Sequence, residues 1–128
     1  MIVVDTSALM AILLEVPGAA DCATALAQTR NRLISAGTLA EALIVAARNK
    51  LHLPMVQLVE GLRAEIVTVT AKGALQSSEA YQRWGKGFHS AALNYGDCFS
   101  YALAKERDCL LLYIGKGFAQ TDIRSALS

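Results

Sequence analysis

The chain is short of most features that would assign it at first sight. It has two prolines, and aromatic residues make up 6% of it. Its three cysteines, Cys22, Cys98 and Cys109, are odd in number and show no C-x-x-C pair or Cys/His spacing of the kind zinc requires. They read as small buried hydrophobes of a reducing compartment. The longest apolar run, residues 8–14, falls far short of the ~18 to 20 residues of a membrane span. No basic stretch precedes it, because the chain opens Met1-Ile2-Val3-Val4 and meets Asp5 at once. That argues against a secretory signal and for a cytoplasmic protein. Charge is scarce as well: 18% of residues carry it, with a formal net charge of +1, so the composition does not display the basic footprint of a nucleic-acid binder.

What the chain does have is apolar mass. A hydrophobic share of 54% in 128 residues suits one domain. At that size about two-thirds of the unfolded surface is buried, and neither disulfide nor metal is needed to fold. Residues 1–128 are therefore expected to form a single domain.

Ile2-Val3-Val4 is a short continuous apolar run ending at Asp5, the pattern of a strand buried on both faces. Thr6 and Ser7 offer capping hydroxyls, and residues 8–15 form a helix that Pro17-Gly18 stops. Residues 19–29 read as a second helix and 32–36 as a strand. Thr38-Leu39-Ala40-Glu41 matches a capping box opening a helix to about residue 51, and Pro54 starts another to about 65. Residues 66–70, β-branched throughout, read as an internal strand followed by a helix over 71–84. Asp97 is expected to open a helix over 98–107, and 110–113 a last buried strand; 119–128 follow no clear pattern. Strands alternating with helices in this way predict an α/β fold with helices on both faces of a parallel sheet.

Of the eleven acidic residues, seven fall on exposed faces or helix ends. Asp5, Glu41, Asp97 and Asp122 remain. Asp5 ends an apolar strand, the carboxyl edge where open parallel sheets bind ligands, although capping the next helix would explain it equally. Glu41 has a capping-box explanation and Asp97 an N-cap one. Asp5, Glu41 and Asp97 all fall at helix starts, so the sheet can bring them into one cleft, where like charges need a cation. With oxygen donors and no His or Cys ligands, Mg²⁺ or Mn²⁺ suits such a site, and such an ion assists hydrolysis of phosphodiesters. Tyr81, Arg83, Trp84, Lys86, Phe88 and His89 interleave cations with aromatics, as RNA-contacting loops do; a helix end with core aromatics and solvated charges is the competing account.

Val3-Val4-Asp5-Thr6-Ser7-Ala8-Leu9, Glu41 within Thr38-Leu39-Ala40-Glu41-Ala42, the block Leu93-Asn94-Tyr95-Gly96-Asp97-Cys98-Phe99-Ser100-Tyr101-Ala102-Leu103-Ala104, Leu111-Leu112-Tyr113 and Thr121-Asp122-Ile123 together resemble the PIN-domain ribonucleases, and within them the VapC toxins of toxin-antitoxin pairs. The resemblance implies a three-layer α/β/α fold around a parallel sheet of about four to five strands. It also implies an endoribonuclease dependent on Mg²⁺ or Mn²⁺, usually a homodimer, that cuts tRNA or rRNA. A VapB-type antitoxin would silence it by placing its C-terminal segment in the active site. Carried over, Asp5, Glu41 and Asp97 match the family's acidic core, with Asp5 and Asp97 as principal metal ligands and Glu41 positioning the ion or activating water. The family's fourth acidic residue, in a Gly-acidic-Asp-Phe pattern, is missing from Gly115-Lys116-Gly117-Phe118. Either Asp122 compensates in part, or one metal binds weakly, or activity is reduced. Lys116, with Arg83 and Lys86, is a candidate RNA contact, against the plainer account of a solvated loop lysine. Two other readings stay open: a PIN-like module that binds RNA or antitoxin without cutting, motivated by Gly117, and a phosphotransfer domain with Asp5 as nucleophile. The latter lacks the second aspartate expected where Ser7 stands.

Overall fold

The computed structural model describes residues 1–127; Ser128 lies outside the described residues. Four parallel strands, β1 (Ile2–Val4), β2 (Arg32–Ser35), β3 (Glu65–Val67) and β4 (Leu110–Leu112), form one sheet in the order β3-β2-β1-β4. Six helices connect them: α1 (Thr6–Leu14), α2 (Ala19–Gln28), α3 (Ala36–Arg48), α4 (His52–Leu62), α5 (Ala71–Trp84) and α6 (Tyr95–Arg107). Among the described residues no single helix is long and apolar enough to cross a membrane.

The layers follow from the two-residue period of the strands. Ile2, Val4, Ile34 and Leu112 point to one face and pack with Leu9, Cys22, Ala42, Ala46 and Met55 of α1 to α4. Val3, Leu33 and Leu111 point to the other, against Ala80 of α5, Tyr101, Leu103 and Ala104 of α6, and Phe118. Strand β1 has a neighbour on each edge and a helical layer on each face, so its continuous apolar run is what a central parallel strand needs.

Three local readings of the sequence are corrected. Residues 66–70 do not make an internal strand: pairing stops at Val67, opposite Ser35, because β2 has turned into α3 and leaves Thr68–Thr70 nothing to bond. Strand β3 is an edge strand with Ile66 half exposed, and Thr70 caps α5 instead. The capping box at Thr38 does not form either. Strand β2 passes directly into α3, whose N-cap is Ser35, accepting from Gly37 N at 3.2 Å. Thr38 is fully buried, and Glu41 falls in the second turn. Finally, α6 begins at Tyr95, with Asn94 as N-cap; Asp97 is the third helical residue of a true capping box and not the helix opener.

The tail that lacked a clear pattern has a definite place. After a short 3₁₀ turn (Phe118–Gln120), Leu111 N donates to Arg124 O and Ala126 N to Leu111 O, both at 2.9 Å. Residues 124–126 thereby cover the outer edge of β4.

Candidate active site

The chain runs from β1 outward to β2 and β3, then returns to β4 on the opposite side of β1. Where strand order reverses, the carboxyl ends of two neighbouring strands diverge and open a crevice. Asp5 stands at that point, next after β1, and is 2% exposed. Both sequence readings of Asp5 describe one side chain. It caps α1 through Oδ2, which accepts from Ser7 N at 3.0 Å and Ser7 Oγ at 2.7 Å. Its Oδ1 accepts from Ser100 Oγ of α6 at 2.6 Å. Ser7 Oγ accepts in turn from Ile114 N at 3.0 Å, tying the loop after β4 to the same corner.

Glu41 reaches this corner from α3. Thr6 Oγ1 donates to its Oε1 at 2.6 Å, while Oε2 accepts from no group among the described residues. Gly96 lies directly beneath it: a Cβ added there would collide with Glu41 Oε2. The third carboxylate, Asp97, accepts from Asn94 N through Oδ2 at 2.9 Å and leaves Oδ1 without a donor among the described residues. The structure thus brings Asp5, Glu41 and Asp97 together. Burial pushes the Asp97 carboxyl up to about 6, the Asn94 amide opposes this, and the charges of Asp5 and Glu41 add to it. Glu41 is also raised, by burial first and by Asp5, against the Thr6 hydrogen bond.

Every donor around the cleft is oxygen. Among the described residues no three His, Cys, Asp or Glu close into a ready-made cage. A Mg²⁺ ion needs no such cage, since it keeps several waters and binds through one or two carboxylates. The two open oxygens on half-buried, mutually repelling carboxylates therefore fit a hard, hydrated divalent cation. Cys98, beside Asp97, does not extend the donor set: burial and Asp97 push its thiol up to about 12.

The remaining candidates scatter. Asp122 is held away from the cleft by Tyr101 Oη, by Lys105 Nζ at 3.1 Å and by Arg83 at 3.9 Å. Burial works against its charge, but these partners outweigh it and hold the carboxyl below its ordinary value. Arg83 also stacks on Trp84, 4.7 Å from the ring centroid. Lys86 and Lys116 are exposed and form no ion pair among the described residues. Gly117, where the fourth acid was expected, has room only for a tight Cβ, 3.1 Å from Ala91 O.

Sequence reasoning missed the hydroxyls. Thr38 and Ser100 Oγ atoms lie 2.9 Å apart, both fully buried, behind Asp5. The available signal was Ser100, three residues after Asp97 and so on the same helix face, among otherwise apolar neighbours.

Fold and cleft define a class of protein: a three-layer α/β/α domain that gathers carboxylates at the carboxyl edge of a parallel sheet. The PIN domain family matches residues 2–124. Ribonuclease VapC36 of Mycobacterium tuberculosis is 42% identical over 127 residues, covering 94% of this chain and 90% of its own. The crystal structure of M. tuberculosis VapC20, described as a sarcin-ricin loop cleaving toxin, superposes with a TM-score of 0.75 over 96% of both chains at 18% identity. A toxin-antitoxin complex from Klebsiella pneumoniae gives 0.69 at 18% identity, over 95% of this chain and 93% of the other. The chain belongs to the PIN-domain family, in its VapC ribonuclease branch.

Proposed function

We propose that the chain acts as one PIN domain, an endoribonuclease that hydrolyses RNA phosphodiester bonds, in tRNA or rRNA, with Mg²⁺ or Mn²⁺. In this reading it is the cytoplasmic toxin of a toxin-antitoxin pair and is neutralised by a VapB-type antitoxin. The observation that carries the reading is the convergence of Asp5, Glu41 and Asp97 on one corner at the carboxyl edge of the sheet, with Glu41 lying against Gly96 beside Asp97. A site that concentrates like charge at a ligand-binding sheet edge calls for a cation. The likeness to a toxin-antitoxin complex supports the protein partner.

Asp97, through its open Oδ1, and Asp5, through the Oδ1 lone pair that Ser100 leaves free, would hold the ion, with the open Glu41 oxygen beside it. Bound there, the ion supplies a water of lowered pKa and offsets negative charge at phosphorus. The chain's own residues do the rest. Ser7 and Ser100 fix both Asp5 oxygens. Thr6 anchors one Glu41 oxygen and so aims the other at an attacking water. The water oxygen joins phosphorus as its proton passes to Glu41, one ester P–O bond breaks with its electron pair leaving on the ribose oxygen, and that oxygen takes up a proton from solvent. Lys116, on the loop after β4, meets a flanking phosphate, whereas Arg83, engaged by Asp122 and Trp84, is not assigned to RNA.

Purified protein should cut labelled RNA in Mn²⁺ and stop in EDTA, and Asp5→Asn and Asp97→Asn should fall to background. Cutting by either variant at the wild-type rate sinks the proposal. Gly117 favours a second reading, a binding module with a crippled site. A large gain in cleavage by Gly117→Asp supports that reading, and an unchanged rate means that three carboxylates suffice.

A further inference from the structure

One cavity has no part in the chemistry above. It lies between α5 and the first turns of α6, with a volume of about 680 Å³, inside the range of sites that take small organic groups. One wall carries Tyr81, Lys86 and Phe88; the other carries Asn94, Tyr95 and Phe99. The aromatics form two edge-on pairs, Tyr81 with Phe88 at 5.9 Å and Tyr95 with Phe99 at 5.0 Å. Phe88 is 63% and Tyr95 78% exposed. Large aromatic surface left in water beside a cavity marks a binding site more often than a packing defect.

Two observations identify the occupant. The first is continuity with the acidic cleft. Tyr95 and Phe99 also line a second cavity of about 350 Å³, whose other walls include Glu41 and Gly96. A strand whose phosphate lies at the carboxylates can therefore pass over Tyr95 into the aromatic cavity. The second is charge. Lys86 is the only Lys or Arg lining the cavity, and no carboxylate pairs with it among the described residues. Stacking surfaces with one uncommitted cation, plus the amide of Asn94, match a nucleobase with its phosphate. A purely apolar peptide would leave the lysine unused.

We propose that this cavity seats an unpaired base of the RNA strand next to the phosphate being cut, stacked on Phe88 and Tyr95, with Lys86 on the adjoining phosphate. The proposal rests on the nuclease reading and adds to it a base subsite on the α5–α6 side of the cleft. A base already paired and stacked within a helix cannot enter.

The test uses a fluorescein-labelled single-stranded RNA dodecamer, the same strand in a duplex, and the strand with one abasic nucleotide. Binding is measured in EDTA, and KM and kcat in Mn²⁺. Wild type should bind the single strand more tightly than the duplex and lose affinity for the abasic strand. Phe88→Ala and Tyr95→Ala should each weaken single-strand binding roughly tenfold, raise KM with little change in kcat, and cease to distinguish the abasic strand. Phe88→Trp should retain binding. If the alanine variants bind and cut like wild type while Asp5→Asn and Asp97→Asn are dead, the base site is wrong and the nuclease reading stands. If wild type neither binds nor cuts RNA, both fall. Variants that lose duplex and abasic strands equally, or lose only a protein partner, also overturn it, the last case reassigning the surface to a protein interface.

Discussion

Replacing Asp97 with asparagine should make the metal-free protein more stable while destroying its activity, and the size of the gain can be worked from the cleft. A carboxyl with an ordinary value of 3.8 is pushed up to about 6 in the folded chain by burial and by Asp5 and Glu41. At ~1.4 kcal/mol per pH unit, keeping Asp97 ionised costs the fold up to about 3 kcal/mol. Its side chain is partly open to water, which screens some of that cost. The folded state binds the proton more tightly than the unfolded one, so stability is highest at low pH. It falls as pH rises from about 4 through about 6 and stays reduced above. The amide oxygen of the substituted side chain can still accept from Asn94 N, so the α6 cap survives. Thermal unfolding in EDTA at pH 7.5 should therefore place Asp97→Asn about 1 to 3 kcal/mol above wild type. For a domain of this size that is a Tm higher by roughly 3 to 10 °C. The gain should vanish near pH 4, and millimolar Mn²⁺ should stabilise wild type more than the variant. A variant no more stable than wild type at pH 7.5, or one whose advantage persists unchanged in acid, would refute the claim that burial and the neighbouring carboxylates make ionised Asp97 costly to the fold.

Gly96→Ala should abolish cleavage with only modest change in melting temperature, because the new methyl collides with Glu41 Oε2 and must drive that long side chain out of the cleft. RNA cleavage rate and circular dichroism check the two halves. Tyr101→Phe should do the reverse. Its hydroxyl accepts from Trp84 Nε1 at 2.9 Å and donates to Asp122, so its loss should cost about 1 to 3 kcal/mol and change the fluorescence of Trp84 while cleavage survives.

Much of this was legible because hydrophobic patterning is local. The buried runs at Ile2-Val3-Val4 and Leu110-Leu111-Leu112 announced buried parallel strands, and both are, β1 at the centre of the sheet and β4 at an edge that residues 124–126 cover. Residues 66–70 carried an equally good signal, yet a strand ends where its partner ends, and Ser35 turning into α3 is invisible from residue 69. Helix starts failed for a related reason: β2 passes straight into α3, so the cap falls at Ser35, while Thr38 lies buried against Ser100. In the site, Asp5, Glu41 and Asp97 stood out as acids that surface exposure did not explain. Apart from Ser7, two residues from Asp5, the hydroxyls Thr6 on Glu41 and Ser100 on Asp5, and the displacement of Asp122 to the Tyr101 and Lys105 side of α6, depend on contacts across 17 to 95 residues of sequence. No local pattern encodes those.

Strand β1 takes its partners from far apart in time as well as in sequence. During synthesis Ile2–Val4 emerges first and can pair with Arg32 and Leu33 early, but its other edge waits for Leu110–Leu112. Ser7 waits likewise for Ile114, and Asp5 for Ser100. Contacts this distant form slowly, because loop closure must precede any reward. The cleft is therefore a late product of folding: Asp5 is fixed only after segments 95 residues apart have met, so its geometry depends on the closure of the β1–β4 side of the sheet.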